Sequence, residues 1–88
     1  MYYLYITGGD KIMKYMIETT EDGCVQTLEF DNGEIYTSKA KRTIFGYEIT
    51  PNFSSQLAEK DYCEEVVEAV DDLLDGTRFL EFIELANM

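Results

Sequence analysis

Apolar and polar residues alternate along the first fifty positions, and the spacing then changes to steps of three and four. Tyr2-Tyr3-Leu4-Tyr5-Ile6-Thr7 is aromatic and β-branched, a strand composition. Gly8-Gly9-Asp10 signals a turn. Over residues 11–19, Met13, Tyr15 and Ile17 share one face while Lys14 and Glu18 share the other, which predicts a second strand. Thr20-Glu21-Asp22-Gly23 is another turn. A third strand follows over residues 24–31, with Leu28 and Phe30 on one side and Thr27 and Glu29 on the other. Asn32-Gly33 is the strongest local signal, because both residues tolerate positive φ. It predicts a two-residue type I′ hairpin into a fourth strand over residues 34–38. Lys39-Ala40-Lys41 reads as a polar connection and residues 42–49 as a fifth strand. Thr50-Pro51-Asn52 ends that strand, since proline has no N–H for a central ladder.

Helical spacing takes over from there. Residues 53–60 begin it, with Ser54 or Ser55 as the candidate cap. The pattern leaves open whether they form a separate turn or the front of the next helix. In residues 61–76, Tyr62, Cys63, Val66, Val67, Val70, Leu73 and Leu74 recur on one face, and Glu64, Glu65, Glu68, Asp71, Asp72 and Asp75 fill the other. Asp61 with Glu64 fits a capping box, and Gly76 fits a left-handed C-terminal cap. Thr77 is placed to cap a last helix through Ala86, with a strand over 78–85 as the rival reading. Strands followed by helices predict an α+β fold. One domain is expected over residues 1–88. Residues 1–50 would form a four- to five-stranded antiparallel meander, and residues 53–87 one or two helices packed on one of its faces.

Charge bears on function more than on fold. Eighteen acids and 7 bases give a net charge of −11. Residues 59–84 hold ten acids against Lys60 and Arg78, a net of −8, and residues 1–58 hold eight acids against five bases, a net of −3. Such a field repels phosphate backbones and anionic membranes, so neither nucleic acid nor a membrane is expected as a direct partner, and a basic protein surface is. The polar face of residues 61–76 carries acids and no base. Like charges four apart (Glu64 and Glu68, Glu68 and Asp72, Asp71 and Asp75) cost a few tenths of a kcal/mol each, and Asp75 stands at the wrong end of the helix dipole. Six carboxylates over about 18 Å of helix give one charge per roughly 3 Å, close to one phosphate strand at about 3.4 Å. Glu64, Glu65, Glu68, Asp71, Asp72 and Asp75 are therefore the candidate partner-binding set. Glu21, Asp22, Glu29, Asp31 and Glu34, near the hairpin turns, form a candidate secondary patch. The plain alternative is a face that only keeps the protein in solution.

Catalytic chemistry is sparse. The chain has no histidine, hence neither the commonest general base nor the commonest transition-metal ligand. Cys24 and Cys63 lack CxxC spacing and read as reduced, partly buried thiols of a cytoplasmic protein. Gly8-Gly9 is followed by no Lys-Ser/Thr, so no phosphate loop is indicated. Setting Gly76 at the sixth position of a calcium loop puts Leu73 and Phe82 at ligand positions, and the motif fails. No enzyme, metal or cofactor is expected. The N-terminus lacks the basic region of a signal peptide, and no stretch is long and apolar enough for a membrane span. Seven tyrosines suit an interface, although half-buried strand tyrosines are the commoner explanation. Residues 2–6 and the segment from Phe79 to Leu85 could pair between chains, so a homodimer without inhibitory role is the alternative reading.

In length, strong negative charge, lack of catalytic residues and sheet-plus-acidic-helix layout, the chain resembles small acidic phage-encoded inhibitors of bacterial defence, of the anti-CRISPR and anti-restriction type. The resemblance spans the whole chain but carries no motif, so it transfers no functional residue. It implies a non-enzymatic inhibitor that works in a host cytoplasm as a DNA mimic.

Overall fold

The computed structural model describes residues 1–8, 11–73 and 76–87, with the backbone alone at 76 and 77. The alternating half of the chain forms five strands, β1 (Tyr2–Gly8), β2 (Lys11–Thr19), β3 (Gly23–Phe30), β4 (Ile35–Thr43) and β5 (Gly46–Thr50). Their order in the sheet is their order in the chain, and every neighbouring pair is antiparallel. Three helices follow, α1 (Phe53–Glu59), α2 (Glu64–Leu73) and α3 (Gly76–Ala86), where one or two were expected. The α+β meander is thus present at the upper end of its expected strand number.

The register sorts the side chains into two faces. Tyr2, Leu4 and Ile6 stand opposite Ile17, Tyr15 and Met13, which stand opposite Gln26, Leu28 and Phe30. This inner face meets Phe53 and Leu57 of α1, Val66, Val70 and Leu73 of α2, and Phe79, Phe82 and Ile83 of α3, all buried. The Phe82 ring lies 5.2 Å from Tyr15 and 5.9 Å from Tyr2, and Tyr47 meets Phe79 edge-on at 5.4 Å. Fully burying one such side chain is worth about 1.5–3 kcal/mol, so apolar contact holds the helical layer while its acids stay outside. The Tyr15 hydroxyl donates to Gln26 Oε1 at 2.6 Å, which supplies the partner a buried phenol needs. All three helices lie on this side. The outer face carries Tyr3, Tyr5, Ile12 and Ile35, each more than half exposed.

Several local expectations change for identifiable reasons. At Asn32-Gly33 only Gly33 takes positive φ, 92°. Gly33 N–H donates to Phe30 O and Phe30 N–H to Glu34 O, so the turn is a three-residue loop with a glycine bulge, not a two-residue type I′ turn. Asn32 Oδ1 instead accepts the Glu34 N–H at 2.9 Å. Lys39-Ala40-Lys41 is not a connection but the middle of β4. The hairpin falls at Ile44-Phe45, where Thr43 Oγ1 accepts from Phe45 N–H and donates to Gly46 O, and Gly46 takes φ 131°. α1 stands apart from the acidic helix, and its cap is Asn52, whose Oδ1 accepts Ser55 N–H at 2.7 Å, not Ser54 or Ser55. Asp61 does not open a capping box. It takes a left-handed φ of 59° and bends the chain between α1 and α2. Gly76 begins α3 instead of closing α2, one residue before the Thr77 expected to cap it, and 78–85 is helix, not strand. Gly9, Asp10, Leu74 and Asp75, on which parts of the first turn and the acidic stretch fall, lie outside the described residues.

Candidate functional site

Residues of α2 divide by period. Val66, Val70 and Leu73 are buried against the sheet, whereas Glu64, Glu65, Glu68, Asp71 and Asp72 are all exposed. Spacing of four and three puts the three apolar side chains on one stripe, and burying that stripe forces the acids outward. Glu64 and Glu65 occupy the first turn, the favourable end of the helix dipole, and no base stands in the last turn. The helix is therefore built with one sign of charge on its solvent face. Asp71 accepts a hydrogen bond from the Ser54 hydroxyl, which ties α1 to α2 and leaves one Asp71 oxygen outward. Glu59 at the end of α1 and Glu81 and Glu84 on α3 are exposed as well, so the acidity extends over the helical layer. Asp75, the sixth member of the expected set, lies outside the described residues.

The secondary patch does not form one surface. Glu21 and Asp22 sit in the β2–β3 turn, while Asp31 and Glu34 sit in the β3–β4 turn. The eight residues of β3, at about 3.3 Å each, put these turns roughly 25 Å apart. Asp22 O accepts Arg42 N–H at 2.6 Å, and Lys41 and Arg42 share a shallow groove with Glu21 and Asp22, so that end is locally compensated. Glu29 is on the outer sheet face opposite Lys14. Of the patch, only Asp31 and Glu34 lie at the end of the sheet from which α2 starts.

Glu34 joins that helix through a cluster the sequence did not announce. Its Oε2 accepts from the Tyr36 hydroxyl, and from the Tyr62 hydroxyl at 2.5 Å. Asn32 Nδ2 donates to its Oε1 at 3.3 Å. Tyr62 stacks on Phe30 with ring centroids 4.7 Å apart, and Tyr36 meets Phe30 edge-on at 5.7 Å. Three aromatic rings and one carboxylate thus pin the segment before α2 to the β3–β4 hairpin and set where the acidic helix begins. The Tyr36 and then the Tyr62 phenol hold the Glu34 carboxyl below its usual range. Desolvation first, and then the hydrogen bond to Glu34, raise both phenols.

The sign of the pH dependence follows. A depressed carboxyl contributes stability above its unfolded value of 4.5 and loses it as pH falls through the lower folded value. The raised phenols contribute fully below 10.0 and lose their share as pH rises through the folded values. The cluster therefore holds between about pH 5 and pH 10. Glu34→Gln is expected to lower Tm at pH 7, and the gap to the wild-type protein should narrow only below pH 4.5, closing as pH falls through the lower folded value and Glu34 itself becomes neutral. Thermal unfolding followed by circular dichroism from pH 3 to pH 8 reads this directly, and a pH-independent gap would show that the carboxylate charge is irrelevant.

Cys24 is buried, and burial pushes its thiol up to about 11, which keeps it protonated and unreactive at neutral pH. Cys63, expected to be partly buried, is exposed because α2 starts at Glu64 and Cys63 precedes its apolar stripe. Both cysteines are free. Among the described residues no group of three or more His, Cys, Asp or Glu side chains is placed to hold a metal ion. No helix among them is long and apolar enough to cross a membrane. In comparison with known proteins, no family, no curated protein and no solved structure matches the chain.

Proposed function

We propose that the chain is a non-enzymatic protein-binding inhibitor whose acidic helical layer docks on a basic surface that ordinarily holds DNA or RNA, in the manner of anti-CRISPR and anti-restriction proteins. The observation that carries the reading is α2: five exposed carboxylates, Glu64, Glu65, Glu68, Asp71 and Asp72, on a helix with no lysine or arginine. Charges so arranged repel one another at a cost to the helix, and a groove lined with lysine and arginine removes that cost on binding. Their spacing along the axis is close to that of phosphates along one strand, so a groove shaped for nucleic acid meets them in register. The buried, protonated Cys24 and the lack of histidine give no support to a catalytic alternative.

The test is capture from a bacterial lysate on the immobilised chain. A nucleic-acid-binding protein is expected to be retained at about 50 mM salt and released by about 500 mM salt, because the contact is electrostatic and screened over about a Debye length. Added double-stranded DNA should also release it. Capture indifferent to DNA, or no capture at low salt, would remove the proposal.

A further inference from the structure

The outer face of the sheet differs from the rest of the surface in charge. Its strand positions follow from the register: Tyr3, Met16, Thr27 and Thr37 form one row across the sheet, Tyr5, Lys14, Glu29 and Ile35 a second, and Glu18, Val25 and Lys39 a third. Lys41 and Glu48 close the far end as a cross-strand pair. The charged residues on these positions are Lys14, Lys39 and Lys41 against Glu18, Glu29 and Glu48, a net of zero, with Asp31 at the rim. The whole chain carries −11, so this neutral face stands back to back with the acidic helical layer. It is also apolar. Tyr3 is 53% exposed, Tyr5 67%, Ile12 53% and Ile35 59%, and Met16 and Val25 are half-buried beside them. Tyr3 and Tyr5 meet edge-on at 6.2 Å, and Lys14 Nζ lies 4.7 Å over the Tyr3 ring, which orders the aromatic part of the patch.

We infer that this face is a homodimer interface, with two copies stacked sheet on sheet and their acidic layers turned outward. Two chains of this charge repel wherever their helical layers approach. That disfavours the other route, pairing of the β1 edges of two copies, because α2 packs beside β1 and edge pairing would bring two acidic helices together. Stacking keeps the helical layers on opposite sides. The face is also complementary to itself, as a two-fold interface must be. An axis lying across the strands at the level of Tyr3, Met16, Thr27 and Thr37 sets Lys14 of one copy over Glu18 of the other, Glu29 over Val25, and Lys39 over Ile35. No like charges meet. Five strands about 4.8 Å apart and seven residues of about 3.3 Å give a footprint on the order of 500 Å². Two such faces bury roughly 1,000 Å², the lower limit of a specific interface, which fits a dimer in the micromolar range. Stacked sheets of this kind pack about 10 Å apart with their side chains interleaved. The dimer stands whatever the acidic layer binds. Where that layer docks as proposed above, the dimer presents it twice.

Sedimentation equilibrium of the full chain from about 1 to 500 µM tests this. A monomer–dimer equilibrium is expected, unchanged or tightened by raising salt from 50 to 500 mM, since the interface is neutral and salt screens the repelling layers. That is the reverse of the salt response of the acidic surface, so the two readings fail separately. Tyr5→Glu and Ile35→Lys, each at an exposed position, the second setting a lysine over Lys39 of the other copy, should weaken dimerisation at least about 30-fold while leaving the circular dichroism spectrum unchanged. Leu80→Glu, exposed on α3, should leave dimerisation unchanged. A wild-type chain that stays monomeric at 500 µM, or a dimer indifferent to both outer-face substitutions, would overturn the inference.

Discussion

Gly23→Ala is expected to remove most of the stability of the fold. A Cβ at this position would stand 1.9 Å from the Ala40 carbonyl oxygen and 2.9 Å from its carbon. Both atoms belong to the backbone of β4, and Gly23 pairs with Lys41 in the β3–β4 register, so no side chain can rotate away to make room. The strands must part at this end. The Arg42 N–H bond to Asp22 O at 2.6 Å then goes with them. Overpacking that only displaces side chains costs about 1–3 kcal/mol. Displacing a central strand of an 88-residue domain should exceed that, against a total stability of about 4–13 kcal/mol. Gly33→Ala is the matched control: nothing lies within 4 Å of its added Cβ, and only its φ of 92° opposes the substitution. It should cost about 1–2 kcal/mol. Urea unfolding of the three proteins ranks them, and a Gly23→Ala midpoint equal to that of the control would refute the steric argument.

Reversing two charges on α2, Glu68→Lys with Asp72→Lys, should abolish partner capture and leave the fold at least as stable as before. Glu68 is flanked by Glu64 and Glu65 on one side and by Asp71 and Asp72 on the other, all exposed. A lysine there turns three neighbouring repulsions, with Glu64, Glu65 and Asp71, into attractions. Asp72 stands in the last turn, where a cation suits the helix dipole and a carboxylate does not. The two introduced lysines, four apart, repel each other about as much as the two acids they replace, so that pair cancels. The balance is a gain of about 0.5–1 kcal/mol. Binding moves the other way. Setting two lysines against a basic groove should weaken the complex at least about 100-fold. Loss of binding with a raised Tm cannot be blamed on unfolding. Undiminished binding by this variant would mean that the acids serve solubility alone.

The alternation of β2 and β3 was readable because one face of each strand is buried: Met13, Tyr15, Ile17 and Leu28 are all at 0% exposure. The solvent face of α2 was readable for the same reason, since Val66, Val70 and Leu73 keep the helical period. Where residue polarity does not follow burial, the reading failed. β4 carries lysine at positions 39 and 41 on the outer face, and these hid the buried Ala40 between them. Ile44 and Phe45 form a turn at 92% and 95% exposure, against every expectation from their apolar character. Asn32-Gly33 named the place of a hairpin but not its type, because the Asn32 side chain bonds back to Glu34. The Glu34–Tyr36–Tyr62 cluster joins residues 28 positions apart, and no local pattern encodes a pairing at that separation.

Because each strand neighbours the one made just before it, no distant segment has to be found before the sheet can assemble. Loop-closure entropy is small at every step, and pairing should run quickly from the hairpins around β3. The slow event is a different one. Synthesis delivers the helices after the strands, so for a time the nascent sheet shows its oily side to the ribosome exit and to every chaperone in reach.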